Sequence, residues 1–404
     1  MEQNRHPGAL SDITVIDLTR VLSGPFATMW LGEMGANIIK VEIPNGGDEA
    51  RKNPPFKDGG DLSTFFVTVN RNKRSITLNL KSDEGKALFK ELVKQADVVV
   101  ENFRPDVMDR LGLGYEDLRQ VNDRIIYCSI SGFGSSGPYT KRPAYDVISQ
   151  AMGGIMSITG EEGGDPLKVG ASIGDITGGM NAVIGILAAL HARTITGKGQ
   201  RVETALVDSI IAVQQAENNR YFVTGNTTPR TGNRYPANCP YGTYHAKDGV
   251  FMIGVGKDEL FVKLCEQVLN CPDVPKDERF CCIAQRAIHY KEIRELLEGW
   301  AKDYTVNEVV DKLLAAGVPA GPIMSIADIS KDPHFAGARN MFPTMEQPGL
   351  GEFTVTAMPI KFSETETYVH RPAPMLGQHN EEVYAELIGL TAEQVAQLKE
   401  NGTI

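Results

Sequence analysis

The first third of the chain alternates between short runs rich in Val and Ile and stretches with helical periodicity, and this pattern restricts the possible folds most strongly. The runs predicted as strands are residues 13–18, 37–42, 75–80, 97–101 and 124–131. The stretches predicted as helices between them are residues 24–34, 83–95 and 105–121. Because such alternation is typical of a mostly parallel sheet covered by helices, we expect an α/β fold.

The remainder of the chain is predicted to be mainly helical and to contain a second unit. The next predicted helices are residues 145–152, 178–193 and 202–225, followed by loop-rich residues 226–239. A smaller unit is indicated by a strand at 249–255 and helices at 258–269, 287–302 and 307–316. A strand-like segment at 352–362 and two terminal helices complete the chain of 404 residues.

The charge balance of the chain limits the kinds of ligand and partner that the protein can be expected to bind. The chain has 41 Lys and Arg residues against 51 Asp and Glu residues, which gives a formal net charge of −10. Nucleic-acid-binding domains normally carry a basic surface, so a nucleic-acid partner is not expected. A ligand that bears phosphate would have to be held by a local cluster of cations.

Three features predict a cytoplasmic protein without a membrane partner. Residues 1–12 are polar and lack the apolar segment of a secretory signal. The longest apolar stretch, residues 183–190, is shorter than a membrane span. The six cysteines are scattered through the chain, which is typical of reduced thiols.

Residues 132–137 match the GxGxxG pattern of dinucleotide-binding loops. In those proteins a helix begins within the motif and directs its N-terminus at the pyrophosphate. Pro138 follows Gly137 directly and excludes that helix, so a loop that covers a ligand is the better interpretation. The cysteines and histidines lack metal-ligand spacing, so neither a metal nor a permanently bound cofactor is expected.

Asp175 precedes the apolar residues 181–190, where an Asp is usually a helix N-cap. The same position also suits chemistry, because helix N-terminal amides favour a negative charge and Gly178 and Gly179 let a ligand approach the backbone. The ordinary pKa of an Asp is about 3.9, so we expect a carboxylate at neutral pH. Such a carboxylate can attack an activated acyl group without a partner base.

Segments spread over nearly the whole chain form a more specific pattern than any single motif. They are VIDLTRVLSGP (15–25), GANIIKVE (35–42), NKRSITLNLK (72–81), VENFRP (100–105), SGFG (131–134), GD (174–175), GILAAL (185–190), GKGQ (197–200), GVPAGP (317–322) and LGQH (376–379). In this order they resemble the family III CoA-transferases, the group that includes formyl-CoA transferase and carnitine CoA-transferase.

The resemblance implies that Asp175 is the catalytic nucleophile and that a CoA thioester is a substrate. Asp175 would attack a donor acyl-CoA to form a mixed anhydride, which the released CoA thiolate would convert into an aspartyl-CoA thioester. A free carboxylic acid would then repeat these steps in reverse. Each tetrahedral step needs an oxyanion donor, for which backbone amides near Gly134 or Gly178 are candidates.

The resemblance also implies the contacts with CoA. Residues expected along the pantetheine are Val21, Leu22 and Ser23. Those expected near the nucleotide are Leu78 and Lys81, and those around the adenine and phosphates are Asn102, Phe103 and Arg110. Leu22, Gly134, Tyr145 and Asp146 would line the acyl site. The local cations are Arg71, Lys73, Arg74, Lys81, Arg104 and Arg110.

Two departures from related enzymes bear on the substrate and the reaction. Formyl-CoA transferase has a Gln where this chain has Leu22, and its glycine-rich loop has no counterpart in residues 238–245. We therefore expect a larger or less polar acid, such as a hydroxy, dicarboxylic or branched acid. The α-methylacyl-CoA racemases of the superfamily use a His where this chain has Tyr145, so acyl transfer is favoured over racemisation. A non-catalytic CoA-binding protein is the third alternative.

The resemblance implies a fold as well. A large Rossmann-like domain would be formed by residues 1–225 and 330–404, with a smaller α/β domain at residues 226–329 inserted between them. Two chains of this family thread through each other as interlocked rings. An interlocked homodimer is therefore expected.

Overall fold

The computed structural model describes residues 8–57 and 60–404, which form two compact units. The first unit contains the chain up to Ile155 together with Lys168–Asn219 and Pro333–Ile404, and the second contains Met156–Leu167 and Arg220–Asp332. The boundaries expected from the sequence were 225/226 and 329/330. The predicted boundaries placed residues 156–167 in the large domain, whereas in the structure Met156–Leu167 belongs to the smaller unit.

A six-stranded sheet forms the centre of the first unit, and each neighbouring pair of its strands is parallel. The strands are β1 (Thr14–Asp17), β2 (Asn37–Glu42), β3 (Lys73–Thr77), β4 (Val98–Glu101), β5 (Ile126–Ser131) and β6 (Arg201–Ala205). Their order is β3-β2-β1-β4-β5-β6, so the direction of winding reverses at β1. The predicted α/β class with a parallel sheet is confirmed. Ligand crevices open at such a reversal, beyond the carboxyl ends of the strands.

The helices cover both faces of this sheet and also build the second unit. In chain order they are α1 (Ser23–Glu33), α2 (Thr64–Asn70), α3 (Asp83–Lys94), α4 (Val107–Leu111), α5 (Tyr115–Val121), α6 (Asp146–Met152), α7 (Ile155–Ile158), α8 (Ile173–Thr196), α9 (Leu206–Ala212), α10 (Gln215–Thr224), α11 (Asp258–Lys263), α12 (Ile283–Ile288), α13 (Tyr290–Ala301), α14 (Val306–Ala315), α15 (Ile326–Ile329), α16 (Asn380–Ile388) and α17 (Ala392–Glu400). Short 3₁₀ segments lie at Glu49–Lys52 and Val274–Lys276, and π-helical segments at Leu264–Val268 and Pro333–Ala338.

Two helix predictions were wrong. The predicted helix 105–121 is divided into α4 and α5, because Gly112 ends α4 in the left-handed region, with φ +70°. The predicted helix 202–225 begins instead with β6, whose residues pair with β5 at the edge of the sheet. Most residues of β6 are polar and only Ala205 is buried, so the apolar signal of a strand is weak there.

Alternate residues of the central strands point to opposite faces of the sheet, and each face has its own apolar core. Ile16 and Ile39 contact residues of α3, α5, α16 and α17, including Phe89. Val15 and Ile38 lie on the other face, where they pack with residues of α1 and α8. Both faces of a parallel sheet must be covered, which explains the nearly continuous apolar character of these strands.

Helix α8 carries Asp175 and packs closely against α1. It begins at Ile173 and not at residue 178 as predicted, so Gly178 and Gly179 lie inside the helix. A Cβ on Gly179 would come within 2.6 Å of the carbonyl oxygen of Ser23. By length and composition alone, with a mean hydropathy of 1.5, α8 would also fit a membrane span, but the core helices of globular domains meet the same criterion.

The second unit has an antiparallel sheet of order β7-β8-β9, formed by β7 (Tyr241–His245), β8 (Val250–Gly254) and β9 (Ala320–Pro322). Phe251 and Ile253 of β8 pack with residues of α11, α13 and α14 in a core of its own. The chain then returns to the first unit through the hairpin β10 (Thr344–Gln347) and β11 (Gly351–Thr354). The predicted strand 352–362 is wrong beyond Thr354.

The contact between α8 and α1 gives a stability prediction. Gly179→Ala is expected to lower the free energy of unfolding by about 1–3 kcal/mol, because the new methyl group meets rigid backbone. Gly299→Ala is the matched control: Gly299 also lies inside a helix, but nothing lies within 4 Å of the position that a methyl group would take there, so stability should stay equal or rise by up to about 1 kcal/mol. Urea denaturation measures both, and equal stability of the two variants would contradict the proposed packing.

Candidate active site

A cavity of about 480 Å³ opens at the carboxyl edge of the parallel sheet. Its walls come from the segments that follow β1, β4, β5 and β6. Residues that line it include Arg20, Val21, Leu22, Ser23, Glu49, Asn102, Phe103, Arg104, Pro105, Arg142, Tyr145, Asp175 and Leu206. We call it the Asp175 cavity. It lies at the reversal of strand order, where the topology favours a ligand site.

A second cavity of about 470 Å³ lies beside the Asp175 cavity. Its lining comes mainly from residues near the carboxyl ends of β1, β2, β3 and β4 and includes Leu78, Lys81 and Arg110. The two cavities share the lining residues Arg20, Phe103 and Val107, so they adjoin, and we call them together the groove. The guanidinium of Arg20 lies 4.6 Å from the centre of the Phe103 ring, where the two cavities meet. The groove therefore has room for an elongated ligand.

Asp175 lies in the first turn of α8 and is not an N-cap, which corrects the interpretation from sequence. The N-cap position is Ser172, and Asp175 is the third helical residue. The hydroxyl of Ser23 donates to the main-chain carbonyl of Asp175 at 2.8 Å. This bond fixes the first turn of α8 against the beginning of α1, so that the carboxylate of Asp175 faces the cavity.

Asp146 lies beneath this turn and does not border the cavity, in contrast to its predicted place. Its Oδ1 accepts hydrogen bonds from the main-chain N–H groups of Gly174 at 2.8 Å and Asp175 at 3.4 Å. Its Oδ2 accepts one from the side chain of Gln150 at 2.7 Å. The N-terminal amides of α8 thus stabilise the charge of Asp146 rather than that of Asp175.

The pKa of Asp175 is raised to about 7, mainly because burial disfavours the carboxylate and secondly because Asp146 places a negative charge beside it. The expectation of full ionisation at neutral pH was therefore wrong. That expectation assumed that the N-terminal amides of α8 stabilise the carboxylate of Asp175, whereas they donate hydrogen bonds to Asp146. A carboxyl with a pKa near neutrality is a stronger base and nucleophile than an exposed aspartate.

The structure brings most of the predicted ligand contacts into one groove. Val21, Leu22, Ser23, Asn102, Phe103 and Tyr145 line the Asp175 cavity, and Leu78, Lys81, Phe103 and Arg110 line the second cavity. Tyr145 is 73% exposed at the rim. Gly134 does not border either cavity, and its N–H donates to the hydroxyl of Ser131 at 3.0 Å. Gly178 lies inside α8, and the assignment of an oxyanion donor to a backbone amide near either glycine stays a prediction.

Three of the six predicted ligand cations have structural partners. Arg71 is 1% exposed and pairs with Glu33, and Lys73 is fully buried beside Asp17. Arg74 pairs with Glu382 and Glu386. The positive charge of the groove therefore comes from Lys81, Arg104 and Arg110, joined by Arg20 and Arg142.

Arg20 and Arg142 were not singled out by sequence reasoning. Arg20 lies in the segment 15–25 that carries the family resemblance, so its place after β1 was a usable signal. Arg142 follows the glycine motif, in a loop whose path no periodicity specifies. Residues 132–145 form no helix, as Pro138 predicts. Within the described residues, no group of three His, Cys, Asp or Glu is placed to hold a metal ion.

Residues 10–380 match the sequence profile of CoA-transferase family III. The chain therefore belongs to CoA-transferase family III.

The relatives are similar over almost their entire lengths. The succinate–glutarate CoA-transferase of Agrobacterium fabrum is 41% identical, with 95% of this chain and 96% of that protein covered. The succinyl-CoA:mesaconate CoA-transferase of Haloarcula hispanica is 40% identical, with 94% and 96% covered. The crystal structure of a CAIB/BAIF family protein from Brucella suis superposes with a TM-score of 0.82 at 39% identity, covering 94% of this chain and 100% of that one.

The ionisation of Asp175 gives a prediction for pH dependence. With Asp175 as the attacking carboxylate that the family resemblance implies, a pKa of about 7 means that kcat/KM should fall as the pH decreases below about 7. Asp146→Asn removes the neighbouring negative charge and keeps an oxygen for the N–H of Gly174. The acidic limb of the profile should then move to lower pH.

Kinetics between about pH 5 and 9 measure this shift. Asp208→Asn is the matched control, because Asp208 also lies in the first turn of a helix but is exposed. Its profile should equal that of the wild type. An unchanged acidic limb in Asp146→Asn would exclude Asp146 as a cause of the raised pKa.

Proposed function

We propose that this CoA-transferase moves CoA from an acyl-CoA to a free carboxylic acid through covalent intermediates on Asp175. The observation that carries the proposal is the position of Asp175 in a cavity that adjoins another one lined by Leu78, Lys81 and Arg110. A CoA thioester lying along this groove would place its nucleotide near the cations. Its acyl carbon would then lie near the carboxylate.

The first half of the reaction consumes the donor. An oxygen of the Asp175 carboxylate attacks the thioester carbonyl carbon, the carbon–sulfur bond breaks, and the CoA thiolate leaves with the electron pair. The thiolate then attacks the side-chain carbonyl of the resulting anhydride and releases the donor acid as a carboxylate. Asp175 now carries CoA as a thioester.

The second half reverses these steps with the acceptor acid. The acceptor carboxylate attacks the aspartyl thioester and displaces the CoA thiolate, which leaves a mixed anhydride of Asp175 and the acceptor. The thiolate then attacks the carbonyl carbon of the acceptor in this anhydride and forms the new acyl-CoA. The Asp175 carboxylate is regenerated, with no net uptake of protons or water. Both intermediates hydrolyse if water enters, so the site must exclude water during turnover.

We infer that the acids are dicarboxylic. The relatives are named for succinate, glutarate, mesaconate, D-citramalate and oxalate, which carry two carboxylates, and one of them also for the monocarboxylic donor acetyl-CoA. Arg20, Arg104 and Arg142 border the Asp175 cavity, and in the described part of the chain none of them pairs with a carboxylate. Unpaired guanidinium groups suit the second carboxylate of such an acid.

We also propose that the protein is a cytoplasmic homodimer. The surfaces of α8 and α10 carry apolar side chains that a partner chain would cover: Ile184 is 64% exposed, Ile195 76%, Phe222 81% and Val223 75%. Exposed apolar surface of this kind is typical of protein interfaces. The interlocked arrangement rests on the family resemblance.

Chemical trapping tests the covalent mechanism. Hydroxylamine added during turnover should convert Asp175 into a hydroxamate that peptide mass spectrometry locates. Asp175→Asn should reduce CoA transfer by at least about 10³-fold, since the attacking carboxylate is lost. Asp208→Asn is expected to transfer CoA at the wild-type rate.

Isotopes separate the alternatives in the same reactions. The α-hydrogen of the acyl group should stay in place while labelled CoA moves to the acceptor. Washout of α-deuterium without CoA movement would indicate a racemase instead. Binding of acyl-CoA without any turnover would support the non-catalytic alternative.

A panel of acids tests the substrate class. With succinyl-CoA as donor, dicarboxylic acids of four or five carbons should have kcat/KM values at least about tenfold above those of monocarboxylic acids of equal length, because only they reach the arginines. Mass spectrometry of the CoA products gives the ranking. Equal rates for the two classes would exclude recognition of a second carboxylate.

A further inference from the structure

The segment that connects β1 to α1, residues 18–22, forms one wall of the groove and contains a strained residue. Val21 has a φ of +66°, in the left-handed region. A β-branched side chain is rarely found there, and such a conformation costs free energy unless the surroundings enforce it. Val21 and Leu22 line the Asp175 cavity, so whatever enforces this conformation also shapes the site.

One set of restraints comes from a buried ion pair. The Nζ of Lys40 and Oδ2 of Asp48 lie 2.9 Å apart, and their side chains are 0% and 1% exposed. Oδ1 of Asp48 accepts a hydrogen bond from the N–H of Val21 at 3.2 Å. The Nζ of Lys40 also donates to the carbonyl of Thr19 at 2.9 Å. The pair therefore holds the main chain on both sides of Arg20.

The opposite side of the segment is fixed by Asn102. Its Oδ1 accepts from the N–H of Arg20 and its Nδ2 donates to the carbonyl of Arg20, each at 2.8 Å. Beneath the segment, Asp17 accepts from the N–H of Thr19 at 2.8 Å. In a regular turn, main-chain N–H and carbonyl groups form hydrogen bonds with one another. In this segment, side chains provide those hydrogen bonds instead.

We propose that Lys40 and Asp48 are positioning residues for binding of the CoA thioester. Their bonds keep Val21 in the left-handed conformation, which directs Arg20 over Phe103 and Leu22 into the Asp175 cavity. Without Asp48, Val21 relaxes to a negative φ and the wall moves. The inference rests on the proposed function, since it assigns these residues to the same groove.

A stabilising role alone would not explain these contacts. Replacing a buried ion pair by apolar side chains is often neutral for stability, so such a pair is weak evidence of a stabilising function. The pair in this protein bonds to the main chain of a binding segment. Another buried pair is Arg71 with Glu33, the last residue of α1. In the described part of the chain its side chains make no hydrogen bond to residues 18–22, so it provides a matched control.

The experiment compares Asp48→Ala and Asp48→Asn with Glu33→Ala and Glu33→Gln. The Asn and Gln variants keep a hydrogen-bond acceptor and provide folded protein if the Ala variants unfold. Asp48→Ala should raise both the Kd of desulfo-CoA, measured by calorimetry, and the KM of the acyl-CoA by about tenfold, equivalent to about 1.4 kcal/mol. The KM of the acid should change less than about twofold. Asp48→Asn should lie between Asp48→Ala and the wild type.

A rescue separates positioning from direct contact with the ligand. Glycine adopts a φ of +66° without strain, so Val21→Gly combined with Asp48→Ala should recover most of the lost affinity. Glu33→Ala should lower the melting temperature and leave the affinity for desulfo-CoA at the wild-type value.

The outcomes are distinguishable. Unchanged affinity in folded Asp48→Ala and Asp48→Asn, an equal loss in the Glu33 variants, or no rescue by Val21→Gly would each overturn the inference. A wild-type protein that binds neither desulfo-CoA nor acyl-CoA would overturn the proposed function itself.

Discussion

The geometry of the groove depends on a cluster of buried charges between the parallel sheet and the beginning of α1. Asp17 accepts hydrogen bonds from Thr19, Thr28 and Lys73, and the Nζ of Lys73 also donates to the carbonyl of Pro25 and to Asn70. Charges removed from water in this way are tolerated only when each has well-aligned partners. The network satisfies that condition and thereby connects the two strands β1 and β3 to α1, the helix that begins beside Asp175.

The pKa values of the buried groups around the groove depend on how burial is balanced by neighbouring charges. Burial lowers the pKa of Lys73 to about 8, although Asp17 acts in the opposite direction. The pKa of Asp48 lies below its ordinary value because Lys40 and the bonded N–H groups outweigh the effect of burial. Among the described residues no cation offsets burial at Asp175, so burial and the neighbouring Asp146 raise its pKa. The same loss of solvent therefore produces a stable anion at Asp48 and a reactive carboxyl at Asp175.

Sequence predicted the central elements well, because the strands of a covered parallel sheet are continuous apolar runs. It failed where that signal is absent. β6 is a mostly polar edge strand, and β7 has buried residues only at alternate positions. The start of α8 was predicted at residue 178, five residues after its actual start at Ile173. Gly178 and Gly179 lie inside the helix, where a Cβ would meet Leu206 and Ser23.

The candidate site was predicted only in part. The family resemblance led to Asp175 and to most groove-lining residues, but composition could not distinguish a ligand cation from a buried partner, as Arg71, Lys73 and Arg74 demonstrate. A lysine within the apolar strand NIIKVE was a usable signal for a buried network around Lys40. The raised pKa of Asp175 was beyond prediction, because it depends mainly on burial in the fold and secondly on Asp146, 29 residues earlier in the chain.

The raised pKa has a thermodynamic consequence for the proposed cycle. Protonation and acylation both convert the side chain of Asp175 from an anion to a neutral group, so an environment that disfavours the anion favours either product. An anhydride or thioester on Asp175 therefore gains stability relative to the free carboxylate from the same desolvation. In the proposed cycle, desolvation raises the free energy of the unacylated carboxylate, which favours formation of the covalent intermediate. For the same reason, loss of the intermediate to the free carboxylate before the second acid binds is less favourable.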